Sequence, residues 1–340
     1  MAQTASISAL RNKVWYKSLF ADVPTMMFMN RFMGEGQGSI IQVVRDLSKG
    51  PGEYVEFGLS TKLSGDGVTG DDELEGNEEE ILTFQTELHI DQLRHAVRLK
   101  GRMDEKKVAY SMRKDAKEKL TTWWAERWDK EIIWKLSGVT AKTFANTPTA
   151  PTTEHQIIAG GAATEDLLTS TMVMDTKVLD AAKEKALLSS PKVRPIKLEG
   201  KQETGQAAYV YLLHPYQLSA LKKDPIYNQA QREANTRGND NPIFSGAAGV
   251  WNGCAIYQHE LCYTFTNNLS TTCARGLLLG QQAGIVGIGE DERWVEEEKD
   301  YKNKWGISAG RIFGVIKTKF NSKDYGLITL SSAAAAATTA

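Results

Sequence analysis

Residues 103–137 read MDEKKVAYSMRKDAKEKLTTWWAERWDKEIIWKLS, a stretch without proline or glycine that lies between Gly101 and Gly138. Glycines at both ends of such a stretch are typical helix boundaries, so the sequence predicts a single helix of roughly 50 Å. The alternative is two shorter helices that meet near Thr121 and Thr122. Apolar residues recur at every fourth position of this stretch: Val108, Met112, Ala116, Leu120, Trp124, Trp128, Ile132 and Leu136.

This apolar stripe winds around the predicted helix. Each step of four residues advances about 40° around a helix of 3.6 residues per turn, whereas a coiled coil needs alternating steps of three and four. The two ends of the helix must therefore contact different neighbours. We expect a long amphipathic helix that lies along the edge or the back of a sheet.

The composition excludes several classes of protein. The chain has 340 residues, enough for two ordinary domains or for one domain with long excursions, and its 41% of hydrophobic residues can form a core. Its net charge of −1 argues against a general nucleic-acid coat. The three cysteines show no ligand spacing and are interpreted as small buried residues in a reducing compartment. The sequence shows no signal peptide and no membrane-spanning segment.

The chain before the helix divides into two parts. Large apolar residues crowd the segment 15–33, which is either an arm that packs on another subunit or a short core helix at 24–34; the sequence favours neither. Residues 54–60 predict an outgoing strand, and residues 80–88 and 95–99 predict its return after a long loop. This loop, residues 65–80, is rich in glycine and strongly acidic, so it cannot bury itself. The pattern predicts a hairpin that extends away from its own domain.

The chain after the helix predicts a mixed domain. Residues 139–165 are expected to be a connector and residues 222–245 a long polar loop. Helices are predicted at 176–188 and 215–221, and strands at 209–213, within 251–260 and 275–289, and at 310–318 and 325–330. This order of elements indicates an α+β or α/β domain inserted before the last strands.

No catalytic signature stands out. Phosphate-binding, zinc-protease and nucleophile-elbow motifs are absent from the sequence. The enzyme hypothesis rests on His214, Cys254, His259 and Cys262, since a Cys–His pair can form a nucleophile. Buried thiols and structural histidines are the simpler interpretation, and we predict no metal and no cofactor.

Several runs of sequence resemble one known family. They are GLSTKLSGDGV at 58–68, GD at 70–71, LEGNEE at 74–79, IDQLRHAV at 90–97, YLLHP at 211–215 and NPIFSG at 241–246. In these runs the chain resembles the N4-like phage major capsid proteins, most clearly over residues 50–138. The first fifty residues and the Ala/Thr-rich end carry no resemblance.

The resemblance implies the HK97-type major capsid fold, an α+β architecture with a long spine helix and a P-domain sheet. The implied divisions are an N-terminal arm at 1–50, an extended hairpin called the E-loop at 51–101, the P-domain spine helix and connector at 102–160, mostly the axial A-domain at 161–270, and return strands to the P-domain with a C-terminal tail at 271–340.

The resemblance also implies a function. The chain would be the major capsid protein of a tailed double-stranded DNA bacteriophage, self-assembling into pentamers and hexamers of an icosahedral head. Its implied partners are copies of itself, separate scaffolding, portal and decoration proteins, and packaged DNA bound without sequence specificity at the inner face. The implied location is the virion capsid, with the host cytoplasm during assembly and no membrane. An encapsulin-like or prophage-derived shell is the alternative.

Charge suggests where copies contact one another. The acidic loop of one copy is expected to pack near basic groups of its neighbour, either after the second strand or on the lysine-rich face of the helix. The residues of this hypothesis are Asp66, Asp71, Asp72 and Glu73 on the acidic side, and Arg94, Arg98 and Arg102 on the basic side.

Overall fold

The computed structural model describes residues 27–45, 54–60, 63, 67–70, 73, 75–76, 78–108, 111–141, 144–196, 208–233 and 249–334. These residues form two compact units. The smaller unit is built from the described residues of Leu93–Arg127 and Glu292–Arg311. The larger unit is built from those of Phe28–Gln92, Trp128–Asp291 and Ile312–Ala340.

Helices account for the long apolar stripe and for three shorter segments of the larger unit. The α-helices of the described residues are α1 (Arg102–Lys107), α2 (Met112–Leu136), α3 (Thr176–Leu188), α4 (Pro215–Leu221) and α5 (Pro225–Glu233). Short 3-10 helices lie at Met29–Phe32, Thr153–His155, Ala159–Gly161 and Glu165–Leu167. Within the described residues, no helix is long and apolar enough to cross a membrane.

Strands form the remainder of the regular structure. In chain order they are β1 (Met33–Gly34), β2 (Ile41–Val44), β3 (Tyr54–Ser60), β4 (Thr83–His89), β5 (Asp91–Arg98), β6 (Gln156–Ile158), β7 (Val210–Leu213), β8 (Gly249–Trp251), β9 (Cys254–Gln258), β10 (Thr264–Thr266), β11 (Thr272–Leu279), β12 (Gly284–Lys299), β13 (Lys304–Lys317), β14 (Lys319–Phe320), β15 (Lys323–Asp324) and β16 (Leu327–Ala333).

A seven-stranded mixed sheet forms the centre of the larger unit. Its order is β6-β16-β11-β7-β9-β8, with β10 paired to β11. Strands β11 and β16 are antiparallel, whereas β7 and β9 are parallel. Leu213, Leu278 and Leu330 are fully buried here and belong to a core cluster that also includes Leu179 of α3. The apolar runs of these strands therefore bury the sheet against its helices, as expected of strands in a domain interior.

A second sheet has the order β1-β2-β12-β13-β5. In the larger unit, β2 runs parallel to both β1 and the first part of β12. In the smaller unit, the Leu99 N–H donates to the Trp305 carbonyl at 2.8 Å, next to β5 and β13. Strand β12 extends to Lys299, about ten residues beyond the predicted segment. Its outer half was missed because a run of glutamates is typical of a solvated loop.

The predicted single helix is wrong at its N-terminal end. Helix α1 ends where Val108 adopts an extended conformation, with φ −105° and ψ 148°. Helix α2 begins after Ser111, whose Oγ accepts the Lys114 N–H at 3.4 Å. Serine is a strong N-cap residue, so a helix start at Ser111 agrees with the local sequence. The alternative break near Thr121 is wrong too, because α2 is continuous from Met112 to Leu136.

The winding stripe of α2 is confirmed. Six residues of the four-residue repeat are at most 5% exposed: Ala116, Leu120, Trp124, Trp128, Ile132 and Leu136. The last two turns are buried on most sides, since Asp129, Ile133 and Lys135 are also buried. The C-terminal half of the helix is therefore an interior element.

Two predicted loops contain regular structure. The polar loop 222–245 includes α5, which begins at Pro225. The preceding residue, Asp224, accepts the Ile226 N–H at 3.0 Å. Proline in the first turn after an acidic cap is a helix-start signal. The connector 139–165 includes β6, which pairs in parallel with β16. A three-residue edge strand is too short to leave a periodic signal.

Other predictions are confirmed. Helices α3 and α4 have the predicted bounds of 176–188 and 215–221. For the segment 24–34, the core interpretation holds where the chain is described, because Met29 is 0% and Phe32 is 8% exposed. The predicted arm before residue 27 lies outside the described residues.

Candidate inter-subunit surface

Strands β3 and β4 form an antiparallel hairpin whose register runs from Tyr54 opposite His89 to Ser60 opposite Thr83. Side chains alternate between the two faces of such a hairpin, and on β3 the face that includes Tyr54 is exposed throughout. The opposite face carries the half-buried and buried side chains Val55, Phe57, Leu59, Phe84, Thr86 and Leu88. Among the described strands, β3 and β4 pair only with each other.

The two ends of this apolar face have different surroundings. At the root, Leu88 is 0% exposed in a cluster with Val44, Ile285 and Ile316, against which Phe57 packs. Towards the tip, Leu63, Ile81 and Leu82 are 55%, 59% and 51% exposed. We call the apolar residues at the outer end of the hairpin the distal apolar surface: Leu59 and Phe84 lie on the apolar face of the strands, and Leu63, Ile81 and Leu82 lie beyond the strand ends.

The distal apolar surface is a feature that the sequence reasoning missed. An isolated two-stranded hairpin is marginally stable in water, and exposed large apolar residues grouped at its end indicate an interaction site. The signal was present, because Ile81 and Leu82 follow directly on the acidic run. Next to so many charges, two apolar residues leave no periodic pattern of their own.

The acidic side of the charge hypothesis is only partly described. Asp66, Asp71 and Asp72 lie outside the described residues. Glu73 is described, and its side chain is exposed. The neighbouring glutamates that the structure describes are exposed as well, namely Glu75, Glu78, Glu79 and Glu80. The described part of the loop therefore presents carboxylates to solvent.

The basic side lies in the smaller unit. Arg94 and Arg98 are exposed and, four residues apart on β5, they share one face of the strand. Arg102 is exposed and is the first residue of α1. Arg98 also acts on Asp300, whose pKa is lowered first by a hydrogen bond from Lys304 and further by this guanidinium. These arginines remain the predicted contact, since nothing in one copy tests it.

The lysine-rich face of α2 is less suitable for an acidic partner. Glu296 accepts from Lys117 at 2.5 Å and from Arg113, and these two contacts hold the pKa of Glu296 below its usual range. Lys114 Nζ lies 3.9 Å from Glu118 Oε1. Part of this face is thus neutralised within the copy. Of the two basic targets, the arginines of β5 and α1 are the better candidate.

The residues of the enzyme hypothesis have structural roles. Burial raises the pKa of Cys254 and raises the pKa of Cys262 to about 12, so neither is a thiolate at neutral pH. His214 Nδ1 accepts the Tyr216 N–H at 3.2 Å and caps α4. His259 Nδ1 accepts the Leu261 N–H at 3.2 Å. The described residues contain no group of His, Cys, Asp and Glu side chains arranged to hold a metal ion.

Comparisons with known proteins agree with one another. Residues 3–336 match the family described as "Phage capsid protein". The major capsid protein of Pseudomonas phage KPP25 is 29% identical, with 97% of each chain covered. The capsid of Ralstonia phage GP4 has a TM-score of 0.82 at 27% identity, covering 99% of this chain and 100% of that one. The capsid of cyanophage Pam1 has a TM-score of 0.83 at 19% identity, covering 98% and 99%.

Proposed function

Because this chain belongs to the phage capsid protein family and is a bacteriophage major capsid protein, we propose that its copies are joined through the β3–β4 hairpin, whose distal apolar surface lies on a neighbouring copy. The chain is a structural protein of the icosahedral virion capsid and not an enzyme, and its fold is the HK97-type capsid fold. Self-association is therefore its activity.

One observation supports the hairpin as a joining element. Its outer apolar residues Leu63, Ile81 and Leu82 are more than half exposed, and its two strands pair with no other described strand. Covering such a surface stabilises the covered state by about 25 cal/mol per Å² of apolar area. Each copy in a shell contacts several neighbours, so contacts of modest strength add up to a stable assembly.

The charges of the hairpin loop are proposed to fix the position of the contact. The acidic group, Asp66, Asp71, Asp72 and Glu73, would lie near Arg94, Arg98 and Arg102 of the neighbouring copy. The exposure of Glu73 and of the three arginines supports this pairing. Complementary charge at the rim of an interface sets register and association rate more than it adds affinity.

Further elements of the proposal follow from the family. The copies form pentamers and hexamers of the head of a tailed double-stranded DNA phage, and they assemble in the host cytoplasm with separate scaffolding, portal and decoration proteins. We propose residues 1–50 as the arm, whose described part packs on its own copy. We further propose 51–101 as the E-loop, 102–160 as spine helix and connector, 161–270 mostly as A-domain, and 271–340 as return strands and tail. A net charge of −1 suits non-specific contact with packaged DNA.

The test of the hairpin surface replaces its outer apolar residues with serine. Leu63→Ser, Ile81→Ser and Leu82→Ser together remove exposed side chains, so the isolated copy keeps its urea midpoint while shells disappear from electron micrographs and sedimentation profiles. Leu188→Ser is the control, because Leu188 is 73% exposed at the end of α3. Normal shells from the triple variant would remove the distal apolar surface from the proposal.

The test of the charges is a swap. The variant Asp71→Lys, Asp72→Lys and Glu73→Lys, and the variant Arg94→Glu, Arg98→Glu and Arg102→Glu, are each expected to reduce shell yield. Combining the six substitutions in one chain restores opposite charges across the contact and is expected to restore much of the yield. Equal yields from all four proteins, or no recovery in the combined variant, would contradict the pairing.

A further inference from the structure

The side chain of one asparagine binds the backbone at the root of the hairpin. Asn146 Oδ1 accepts the His89 N–H at 2.9 Å, and Asn146 Nδ2 donates to the His89 carbonyl at 2.8 Å. The same Nδ2 lies 3.4 Å from the Val315 carbonyl on β13. Asn146 is 8% exposed. One buried amide thus satisfies both backbone groups of the last residue of β4, as a neighbouring strand would.

The segment that carries Asn146 is itself fixed to helix α2. Lys135 Nζ donates to the Phe144 carbonyl at 2.9 Å and to the Asn146 carbonyl. It also lies 3.5 Å from Glu131 Oε1, and the Lys135 and Glu131 side chains are 2% and 4% exposed. Hydrogen bonds to a buried charged group are among the stronger ones in proteins. We call Asn146, Lys135 and Glu131 the hairpin clasp.

The packing around the clasp leaves little room for another arrangement. A Cβ added at Gly314 would lie far inside the contact distance of the His89 carbonyl oxygen, and 3.2 Å from Asn146 Nδ2. Phe313 packs against the Phe144 ring with centroids 5.0 Å apart. Strand β13 therefore packs closely against the root of the hairpin, and Asn146 binds both of them.

The rest of the hairpin has much weaker attachment to the larger unit. Beyond Leu88, which is 0% exposed, the side chains of β4 are half-buried or exposed. Thr86 Oγ1 donates to the Lys319 carbonyl. Among the described residues of β4, those between Thr86 and the tip make no hydrogen bond to an element outside the hairpin. The direction of the hairpin is thus determined close to His89.

We propose that Asn146 is a positioning residue for shell assembly: through the hairpin clasp it sets the direction in which the β3–β4 hairpin leaves the larger unit towards the neighbouring copy. This inference rests on the proposed role of the hairpin in joining copies. The clasp acts before any neighbour is present, because all its contacts lie within one copy.

Geometry explains why a small change at the root matters. The strand from His89 to Thr83 is about 20 Å long at 3.4 Å per residue. A rotation of about 10° at His89 then moves the far end by about 3.5 Å. A gap of even about 1 Å between two contacting surfaces removes a large part of their van der Waals attraction. The distal apolar surface would no longer meet its partner in the required register.

The experiment compares two buried asparagines whose side chains both hydrogen-bond backbone N–H and carbonyl groups. Asn267 is also buried, at 7% exposure. Its Oδ1 accepts the Leu269 and Thr271 N–H groups at 3.1 and 2.9 Å, and its Nδ2 donates to the Leu168 carbonyl at 2.7 Å. Asn146→Asp and Asn267→Asp keep the side-chain volume and the acceptor but replace the donor with an oxygen that repels the carbonyls. Only the first change lies at the hairpin root.

The readouts are hydrogen exchange of peptides 54–60 and 83–89 in the unassembled chain, and shell yield and diameter in electron micrographs. For Asn146→Asp we expect about tenfold faster exchange in both peptides, together with few or misshapen shells. For Asn267→Asp we expect a comparable fall in urea midpoint, unchanged exchange in these peptides, and shells of normal diameter. Normal hairpin exchange in Asn146→Asp, or the same assembly defect in both variants, would overturn the proposal.

A second variant tests the same proposal if Asn146→Asp does not fold. Glu131→Gln with Lys135→Met removes the buried pair without leaving an isolated charge, and we expect the same defect in milder form. The experiments distinguish failure of the clasp proposal from failure of the hairpin proposal. If the serine variants of the distal apolar surface assemble normally, the role of the hairpin is wrong. If those variants fail to assemble while both clasp variants assemble normally, only the clasp is wrong.

Discussion

Arg275 and Glu165 form a two-point ion pair inside the larger unit, with Nε 2.7 Å from Oε1 and Nη2 2.6 Å from Oε2. Arg275 Nη1 also donates to the carbonyls of Ser137 and Gly138, at 3.1 and 3.2 Å, directly after the end of α2. Glu165 Oε1 in turn accepts from Ser331 Oγ at 2.6 Å on β16. This pair therefore ties the end of the long helix to the seven-stranded sheet.

The first prediction concerns the strength of this pair. The two side chains are 14% and 16% exposed, and removing one partner of a largely buried pair leaves the other charge without compensation. Arg275→Ala is expected to lower the free energy of unfolding by about 3 kcal/mol, measured by urea denaturation of the unassembled chain.

The control for Arg275 is an exposed pair of the same type. Arg45 and Asp291 are 47% and 68% exposed, with 3.2 Å between their charged atoms. Arg45→Ala is expected to change stability by less than about 1 kcal/mol. Equal losses from Arg45→Ala and Arg275→Ala would contradict the prediction that the buried pair stabilises the fold more than the exposed one.

The second prediction concerns the segment at Phe28. Asp129 on α2 is 0% exposed, and its oxygens accept the Phe28 and Met29 N–H groups at 2.7 and 3.0 Å. In Asp129→Asn the amide group would face one of these donors. We expect a loss of about 2 kcal/mol and faster hydrogen exchange at Phe28 and Met29.

The control for Asp129 is the N-cap of α3. Asp175 accepts the Val178 N–H at 2.9 Å, and asparagine is about as good an N-cap as aspartate. Asp175→Asn is therefore expected to cost less than about 0.5 kcal/mol. A loss from Asp129→Asn no larger than that from Asp175→Asn would contradict the anchoring role of Asp129.

Local sequence patterns were enough to predict several of the helices and strands. Helix α4 could be predicted because Pro215 follows His214 at a strand end, and α3 because its apolar residues keep a helical period. The hairpin could be predicted from its two flanking strands and the acidic loop. For the two helices the deciding residues lie within one or two turns of each other, and for the hairpin each strand shows its own local pattern, so neighbouring positions carry the information.

The rest depends on contacts between residues far apart in sequence. Asn146 lies in a segment that reads as a connector, and its role arises only when His89 and Val315 come next to it. The basic and acidic groups of the contact hypothesis could be found from charge alone. Which of them meet depends on a second copy, and the sequence of one copy does not encode that in its local pattern.

The third prediction concerns the loss of stability of the folded chain at acidic pH. Burial lowers the pKa of His155 and His214 below the ordinary value of 6.5, so the folded chain favours their neutral forms. The unfolded chain binds these protons more readily. Stability is therefore fully present above pH 6.5 and is lost as the pH falls through the lowered pKa values.

Urea midpoints measured between about pH 7.5 and about pH 5 check this dependence. We expect a smaller acid loss in His155→Gln and His214→Asn, because each variant removes one such proton. His95→Gln is the control, since its side chain is exposed. His259 is less informative, because burial lowers its pKa while the adjacent Asp129, whose own pKa burial raises, responds in the opposite sense. An acid slope unchanged in both buried-histidine variants would contradict the prediction.

The fourth prediction compares two glycines of β13. At Gly314 an added Cβ would collide with the backbone carbonyl of His89, and a backbone atom cannot move aside as the end of a long side chain can. Gly314→Ala is expected to lower the free energy of unfolding by about 3 kcal/mol and to loosen the hairpin root. At Gly306 the nearest atom is the Glu297 carbonyl oxygen at 3.7 Å, an ordinary contact.

Gly306→Ala is therefore expected to fold normally, with stability unchanged or raised by up to about 1 kcal/mol because alanine restricts the unfolded chain. Both variants add one methyl group to the same strand, so a difference between them reports the close approach at His89 and not strand propensity. The measurements are urea midpoints of the unassembled chains and hydrogen exchange at residues 83–89. If Gly314→Ala matches Gly306→Ala in both, β13 and the hairpin root are less tightly packed than the clasp geometry requires, and Asn146 has room to reorient.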